Sequence, residues 1–242
     1  MEDILHNIKV IEEKIVSVCN RIGRNRKEIK LLLATKTVTP ERIIIAFESG
    51  ENLIAENKVQ ELKAKYEALK KHPHNNHFIG HLQSNKIKDI LRCDVQCIQT
   101  IDSLELAEKI NQKLSSENKS IDILVQVNTS SEKSKFGVEP HKADELVQSI
   151  SKLTNIKIKG LMTIGLFSSD LIKVRNCYKL LSELKYQIDK NQYDNVEMQE
   201  LSMGMSGDFD IAIEEGATII RVGTAIFGKR IYPDSYYWNE SK

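Results

Sequence analysis

The sequence predicts a single-domain (β/α)8 barrel, a TIM barrel, with an additional helix at its N-terminus. Short apolar runs alternate with longer amphipathic segments, a pattern typical of parallel strands joined by helices. Eight such apolar runs are present, and the length of 242 residues suits one barrel. No Pro/Gly/Ser-rich linker divides the chain, so residues 1–242 are expected to form one domain. An open, doubly wound sheet with two extra strands is the alternative architecture.

The N-terminal segment predicts an amphipathic helix over residues 3–21. Apolar side chains recur every three or four residues and fall on one face: Ile4, Ile8, Ile11, Ile15 and Val18. Gly23 follows as the residue that ends the helix.

The first three strands are predicted from short apolar runs that helix signals separate. The first run covers 29–34, and Pro40 then suits the first turn of a helix. The second strand is expected at 53–55, with a helix over 59–69 after it, and the third at 77–80.

The remaining strands follow the same alternation. The fourth, at 95–99, precedes a helix that residue 102 or 103 caps and that runs to residue 114. The fifth, at 121–127, is almost continuously apolar, as a strand buried on both faces should be. The last elements are strands at 156–162, 196–201 and 218–222, with a long helix over 171–188.

Composition excludes several classes of protein. The 35 basic and 34 acidic residues are evenly spread, so no basic face for nucleic acid is expected. No apolar run approaches the roughly 20 residues that span a membrane. The four cysteines have no metal-type spacing, so a cytoplasmic location is expected. Four histidines, at 72, 74, 77 and 81, crowd one stretch, but the first two occupy an expected surface loop and no metal site is predicted.

Lys36 is the most informative candidate for chemistry. Functional groups of a barrel lie at the carboxyl ends of its strands, and Lys36 lies two residues after the end of the first predicted strand. Low polarity at the barrel mouth can lower the pKa of such an amine and make it a nucleophile toward an aldehyde. The alternative is a lysine whose ammonium simply extends from the strand end to water.

The end of the eighth strand predicts a phosphate site. Gly223 permits close backbone approach, Thr224 adds a hydroxyl, and the next amides can open a short helix. Ser206 after the seventh strand offers further donors, although an ordinary tight turn is the alternative. Arg221 lies within a buried strand, where its charge has to be paired or hydrogen-bonded; a structural ion pair with an inward acid is its alternative role.

Eight ordered motifs between about Lys30 and Arg230 resemble the pyridoxal phosphate homeostasis protein family, whose barrel is similar to the N-terminal domain of alanine racemase. They are 33–37 (LATKT), 55–61 (AENKVQE), 77–86 (HFIGHLQSNK), 125–129 (VQVNT), 134–137 (SKFG), 160–165 (GLMTIG), 201–206 (LSMGMS) and 221–228 (RVGTAIFG). Three positions depart from the family's common residues: Thr35 where serine is common, Ala55 where glycine is, and His81 where proline is. None of them is an expected ligand.

The resemblance implies pyridoxal 5′-phosphate as the cofactor, held as a Schiff base on Lys36. Asn57 would lie near the ring and Arg221 would face the pyridine nitrogen. The phosphate would be held by Ser206, Gly223 and Thr224.

The same resemblance implies a carrier that buffers the cofactor in vitamin B6 homeostasis, not an enzyme. A guanidinium beside the pyridine nitrogen disfavours its protonation and makes the ring a weaker electron sink. Few residues follow the eighth strand, so a second domain with a second base is not expected. A pyridoxal-phosphate-dependent amino-acid racemase is the main alternative, and a lysine Schiff-base aldolase is a further one. Apoenzymes that receive the cofactor are the expected partners, and a monomer is the expected state.

Overall fold

A computed structural model describes residues 2–132 and 134–228 and places eight parallel strands in a closed barrel, in chain order. The strands are β1 (Lys30–Ala34), β2 (Leu53–Glu56), β3 (Asn75–Phe78), β4 (Cys97–Ile101), β5 (Ile121–Gln126), β6 (Ile156–Met162), β7 (Val196–Met205) and β8 (Ile219–Val222). Closure rests on the pairing of β1 with β8, from Lys30 opposite Ile219 to Leu33 opposite Val222. The predicted barrel is therefore confirmed, and the open-sheet alternative is wrong.

The helices surround this barrel. They are α1 (Glu2–Ile22), α2 (Pro40–Phe47), α3 (Val59–Leu69), α4 (Ile87–Arg92), α5 (Leu104–Ser115), α6 (Ala143–Ile150), α7 (Leu171–Asp189), α8 (Phe209–Glu214) and α9 (Thr224–Phe227). The extra N-terminal helix α1 packs against α2, α8 and α9 in the helix layer. Its predicted apolar face, from Ile4 to Val18, is buried there. Among the described residues, no helix combines the length and the apolar character needed to cross a membrane.

Two core layers follow from the alternation of side chains along each strand. The outward-facing set, such as Leu33 and Val222, packs beneath the helices in a large cluster. The inward-facing set fills the barrel: Leu32, Ala55, Cys97, Leu124, Met162 and Ile219. Because Arg221 lies two residues after Ile219, the alternation turns its side chain into the barrel as well.

The third strand was predicted two residues too late, since it covers 75–78 and not 77–80. Asn75 and Asn76, predicted to be surface loop, pair with Leu53 and Ile54 of β2. Just after the strand, Gly80 lies against the backbone of Asn57: a Cβ on Gly80 would stand 1.8 Å from the Asn57 carbonyl oxygen.

Strands β4 and β7 also differ from prediction. The fourth is shifted to 97–101, and the seventh continues from the predicted end at 201 to Met205. Met205 still pairs with Arg221 of β8, after a shift in register. Gly204, with φ of 88°, lets the strand bend there and continue. Residues 202–205, expected in a loop, are therefore part of the barrel wall.

Candidate functional site

Lys36 lies in the turn that follows β1, and its side chain is half-buried. The turn is held on both sides of this lysine. The hydroxyl of Thr35 donates to Glu56 Oε1 at 2.7 Å, and the amide of Thr37, whose φ is 66°, donates to Glu61 Oε2 at 2.6 Å. The carboxyl end of β1 therefore presents Lys36 from a backbone that neighbouring side chains fix.

A buried ion cluster lies behind this turn. Lys65 of α3 places its Nζ 2.7 Å from Glu56 Oε1, 2.9 Å from Glu61 Oε2 and 2.9 Å from the carbonyl oxygen of Thr35. Burial raises the pKa of Glu56, while the Lys65 ammonium opposes that shift. The sequence analysis did not identify this cluster; the four-residue spacing of Glu61 and Lys65 on a predicted helix was the available signal.

Arg221 is buried inside the barrel, with 5% of its surface exposed. Its Nη1 donates to Ser202 Oγ and its Nη2 to the carbonyl oxygen of Thr163, each at 2.8 Å. Burial lowers the pKa of Arg221.

Asp208 is the acid whose charge acts on Arg221, but both of its carboxylate oxygens accept hydrogen bonds from other groups. One accepts from the Tyr178 hydroxyl at 2.9 Å and the other from the Met205 amide at 2.6 Å. Within residues 2–132 and 134–228 no carboxylate forms an ion pair with Arg221. The alternative role predicted for this arginine, an ion pair with an inward acid, is therefore wrong for this part of the chain.

The three residues predicted to hold a phosphate lie together. Ser206 Oγ stands 3.4 Å from the amide nitrogens of both Gly223 and Ala225, on either side of Thr224. A Cβ on Gly223 would lie 3.0 Å from the Ala34 carbonyl oxygen, so β8 approaches β1 closely just before Lys36. The predicted phosphate donors and the predicted lysine thus lie at the same end of adjacent strands.

Asn57 follows β2 at this same end and is half-buried. The contact of its backbone with Gly80 packs the loop after β2 against the loop after β3. Six residues named from the sequence are therefore found at or just inside the carboxyl ends of β1, β2, β7 and β8: Lys36, Asn57, Ser206, Arg221, Gly223 and Thr224.

The histidine-rich stretch is not gathered around one point. His74 stacks on Phe47 with ring centroids 5.7 Å apart, whereas His81 stacks on Phe136 at 3.8 Å. In the described part of the chain, no three side chains of His, Cys, Asp or Glu are placed to hold a metal ion. Tyr236 and Tyr237 near the C-terminus are the tyrosines that the sequence offers as a second base for racemisation, and they lie outside the described residues.

Comparison with known proteins adds to this geometry. The family model for the alanine racemase N-terminal domain matches residues 4–231. The pyridoxal phosphate homeostasis protein of Aquifex aeolicus is 43% identical over 91% of this chain and 95% of its own length. The protein of that name from Escherichia coli is 34% identical over 96% of this chain and 99% of its own.

Solved structures agree on the fold. PipY of Synechococcus elongatus, solved with PLP bound, superposes with a TM-score of 0.76 at 29% identity, over 90% of this chain and all of PipY. An alanine racemase from Clostridium difficile superposes with a TM-score of 0.73, over 97% of this chain and 58% of the racemase. Because the identity to this racemase is only 15%, the superposition shows a shared barrel fold and nothing more.

Proposed function

This chain belongs to the pyridoxal phosphate homeostasis protein family, and from that premise we propose that it binds pyridoxal 5′-phosphate as a Schiff base on Lys36. In this proposal it carries and buffers the cofactor in vitamin B6 homeostasis and does not act on amino acids. One observation carries the proposal: a half-buried lysine, a buried arginine without a carboxylate partner in the described residues, and a cradle of hydroxyl and amide donors meet at one end of the barrel.

The phosphate end fits the donors around Ser206. A phosphate group prefers hydroxyl and backbone N–H donors, and Ser206, Gly223 and Thr224 supply both kinds. Ser206 Oγ lies 3.4 Å from each of the two amides, so their present hydrogen bonds are weak. Both N–H groups are therefore available to a stronger acceptor. The close contact of Gly223 with Ala34 explains why a larger residue would not be accommodated there.

The ring end fits Arg221. A guanidinium only donates hydrogen bonds, so the group that faces it has to accept one. The nitrogen of an unprotonated pyridine is such an acceptor, whereas a protonated ring would place two positive charges side by side. Asn57 is proposed to lie beside the ring, at the carboxyl end of the next strand.

Carrier function is favoured over racemisation by what surrounds the lysine. When bound, the cofactor can supply an electron sink, and a ring nitrogen kept unprotonated weakens it. Racemisation also requires a second base opposite the lysine. Among the described residues, the buried Tyr178 donates its hydroxyl to Asp208, and burial raises the pKa of this tyrosine, which keeps the phenol protonated and unable to act as a base. The lysine Schiff-base aldolase is the remaining alternative, and the spectrum below separates it from the carrier.

We further propose a cytoplasmic monomer that delivers the cofactor to pyridoxal-phosphate-dependent apoenzymes. All four cysteines are free thiols, which supports a reducing compartment. Size-exclusion chromatography with light scattering checks the oligomeric state, and transfer of the cofactor to a pyridoxal-phosphate-dependent apoenzyme checks the partner class.

The test of the proposed function is the visible spectrum of the purified protein with added pyridoxal 5′-phosphate. A band in the near-visible is expected, and borohydride should remove it and leave the phosphopyridoxyl group on Lys36 in peptide maps. Lys36→Ala should abolish the band, whereas Lys119→Ala, at an exposed lysine before β5, should keep it. A wild-type protein that stays colourless would overturn the proposal.

A further inference from the structure

A row of polar side chains crosses the barrel interior behind Arg221. Arg221 Nη1 donates to Ser202 Oγ at 2.8 Å, Ser202 Oγ donates to Gln99 Oε1 at 2.6 Å, and Gln99 Nε2 lies 2.7 Å from His77 Nδ1. These four residues come from β8, β7, β4 and β3, so the row spans the barrel rather than following its wall. Ser202 and Gln99 have no exposed surface. We call these four residues the interior row.

The hydrogen bonds of the interior row all run in one direction, with each residue donating to the next from Arg221 to His77. Arg221 has no acceptor, so Ser202 Oγ accepts from it and its own hydrogen goes to Gln99 Oε1. This bond uses the amide oxygen of Gln99 and turns its N–H group toward His77. His77 Nδ1 therefore accepts and carries no hydrogen, which makes the imidazole neutral with its proton on Nε2. Burial, and then the charge of Lys30, lower the pKa of His77 to about 4, in agreement with a neutral ring.

The interior row fixes a buried cation without neutralising it. A buried charge ordinarily requires an opposite charge, and a carboxylate in the position of Gln99 would supply one. Here an amide, a hydroxyl and a neutral imidazole hold the guanidinium on one side, and the Thr163 carbonyl oxygen holds it on the other. The interior row therefore supplies no counter-charge to Arg221, and among the described residues the Asp208 carboxylate acts on it through space without forming an ion pair.

We propose that Ser202 and Gln99, with His77 as the last acceptor, are positioning residues that fix the Arg221 guanidinium to recognise an unprotonated ring nitrogen. This inference rests on the proposed function, because it takes the bound ring to be the pyridine of the cofactor. It goes further in assigning selectivity to residues inside the barrel that do not line the mouth. The selectivity is for a heteroaromatic nitrogen with a free lone pair.

The test compares two ligands and four proteins. The ligands are pyridoxal 5′-phosphate and its analogue with a C–H group in place of the ring nitrogen. The proteins are the wild type, Gln99→Leu, Ser202→Ala and Gln126→Leu. Gln126 is a matched control, since it is an equally buried glutamine on β5 that donates to the Phe136 carbonyl oxygen and does not belong to the interior row.

The wild type should bind the natural cofactor more tightly than the analogue. Gln99→Leu and Ser202→Ala should lower affinity for the natural cofactor by about 3–10-fold, the effect of one lost hydrogen bond, and leave affinity for the analogue nearly unchanged. The ratio of the two dissociation constants is the decisive readout, because a general loss of structure would weaken both ligands equally. Gln126→Leu should keep the wild-type ratio.

Nitrogen-15 NMR of the ligand-free protein gives an independent readout. The shift of His77 Nδ1 should be that of an unprotonated ring nitrogen, and Gln99→Leu should move it. A protonated Nδ1 in the wild type would overturn the proposed direction of the hydrogen bonds. Wild-type ratios in both Gln99→Leu and Ser202→Ala, with Schiff-base formation on Lys36 intact, would overturn this inference and leave the proposed function standing. A wild type that forms no Schiff base would instead overturn the proposed function.

Discussion

Lys65 donates a hydrogen bond from its Nζ to the carbonyl oxygen of Thr35 at 2.9 Å, and Thr35 is the residue immediately before Lys36. The same ammonium contacts Glu56 and Glu61, which bond to the turn at Thr35 and Thr37. Helix α3 is thereby tied directly to the backbone that presents the lysine. The position of Lys36 therefore depends on a charge that lies outside the barrel mouth.

Lys65→Met should destabilise the fold and slow the uptake of the cofactor. Removing one partner of a buried ion cluster leaves uncompensated carboxylates, which costs about 3–5 kcal/mol of unfolding free energy. Urea denaturation measures this loss, and the initial rate of the near-visible band measures cofactor uptake. Lys63→Met is the control, because Lys63 pairs with Asp89 at the surface, where such a pair contributes about 0–1 kcal/mol. Equal losses of unfolding free energy in Lys65→Met and Lys63→Met would contradict the role of Lys65 in holding the turn at Lys36.

His77 should make the stability depend on mildly acidic pH. Its pKa is about 4 in the folded protein against an ordinary value of 6.5, so between these values the unfolded chain binds a proton that the folded chain does not. The free energy of unfolding therefore falls as the pH drops from 6.5 to 4, by at most about 3 kcal/mol from this residue. His77→Gln should lose that part of the slope in denaturation curves recorded at several pH values. His141→Gln, which removes an exposed histidine instead, is the control variant.

Gly80→Ala should disturb the packing of the loops after β2 and β3. Its Cβ would fall 1.8 Å from the backbone carbonyl oxygen of Asn57, and no side chain can turn away to make room. Overpacking of this kind costs about 1–3 kcal/mol or more, measured as a lower melting temperature. Gly207→Ala is the control, because no atom lies within 4 Å of the added Cβ. It should change the melting temperature no more than an ordinary surface substitution does.

Ser206→Ala should weaken the binding of pyridoxal 5′-phosphate by about 10-fold or more, because it removes a donor to a charged phosphate. Fluorescence titration measures the affinity. Pyridoxal, which lacks the phosphate, should bind weakly to the wild type and no more weakly to the variant. Ser116→Ala, in a serine whose hydroxyl bonds to the Lys113 carbonyl oxygen far from this site, is the control. An equal effect of Ser206→Ala on both aldehydes would place the phosphate elsewhere.

Alanine and serine should show no exchange of the α-proton in heavy water at enzymatic rates. A ring nitrogen that stays unprotonated makes the ring a weak electron sink, which disfavours removal of the α-proton. Racemisation is disfavoured further, because one lysine cannot efficiently deliver a proton to the face of the substrate opposite its own. The test is deuterium incorporation by mass spectrometry, followed by chiral analysis of the amino acid. Turnover that Lys36→Ala abolishes and that Tyr236→Phe or Tyr237→Phe reduces would establish a racemase and overturn the carrier function.

Much of the architecture was accessible from the sequence because its signals are local. The alternation of apolar runs and amphipathic segments predicted eight strands in order, and the predicted bounds of α3 and β6 agree with the structure. The same local logic placed Lys36 and Gly223 at the barrel mouth, since each comes within two residues of a strand end and the carboxyl ends of parallel strands meet at one mouth. At β7 the predicted end at 201 is four residues early, because the strand continues through Gly204, whose φ is positive, to Met205.

What only the tertiary structure decided is which distant groups become partners. The contact of Ser202 with Gln99 joins residues 103 positions apart, and that of Lys65 with Thr35 joins two that are 30 apart. Periodicity places Arg221 inside the barrel but carries no information on what meets it there. A closed barrel brings inward side chains from opposite strands within hydrogen-bond distance, and burial then requires each polar group to find a partner. The sequence alone therefore determined the barrel and the end at which the candidate site residues lie, whereas barrel closure decided that the groups hydrogen-bonded to Arg221 are neutral.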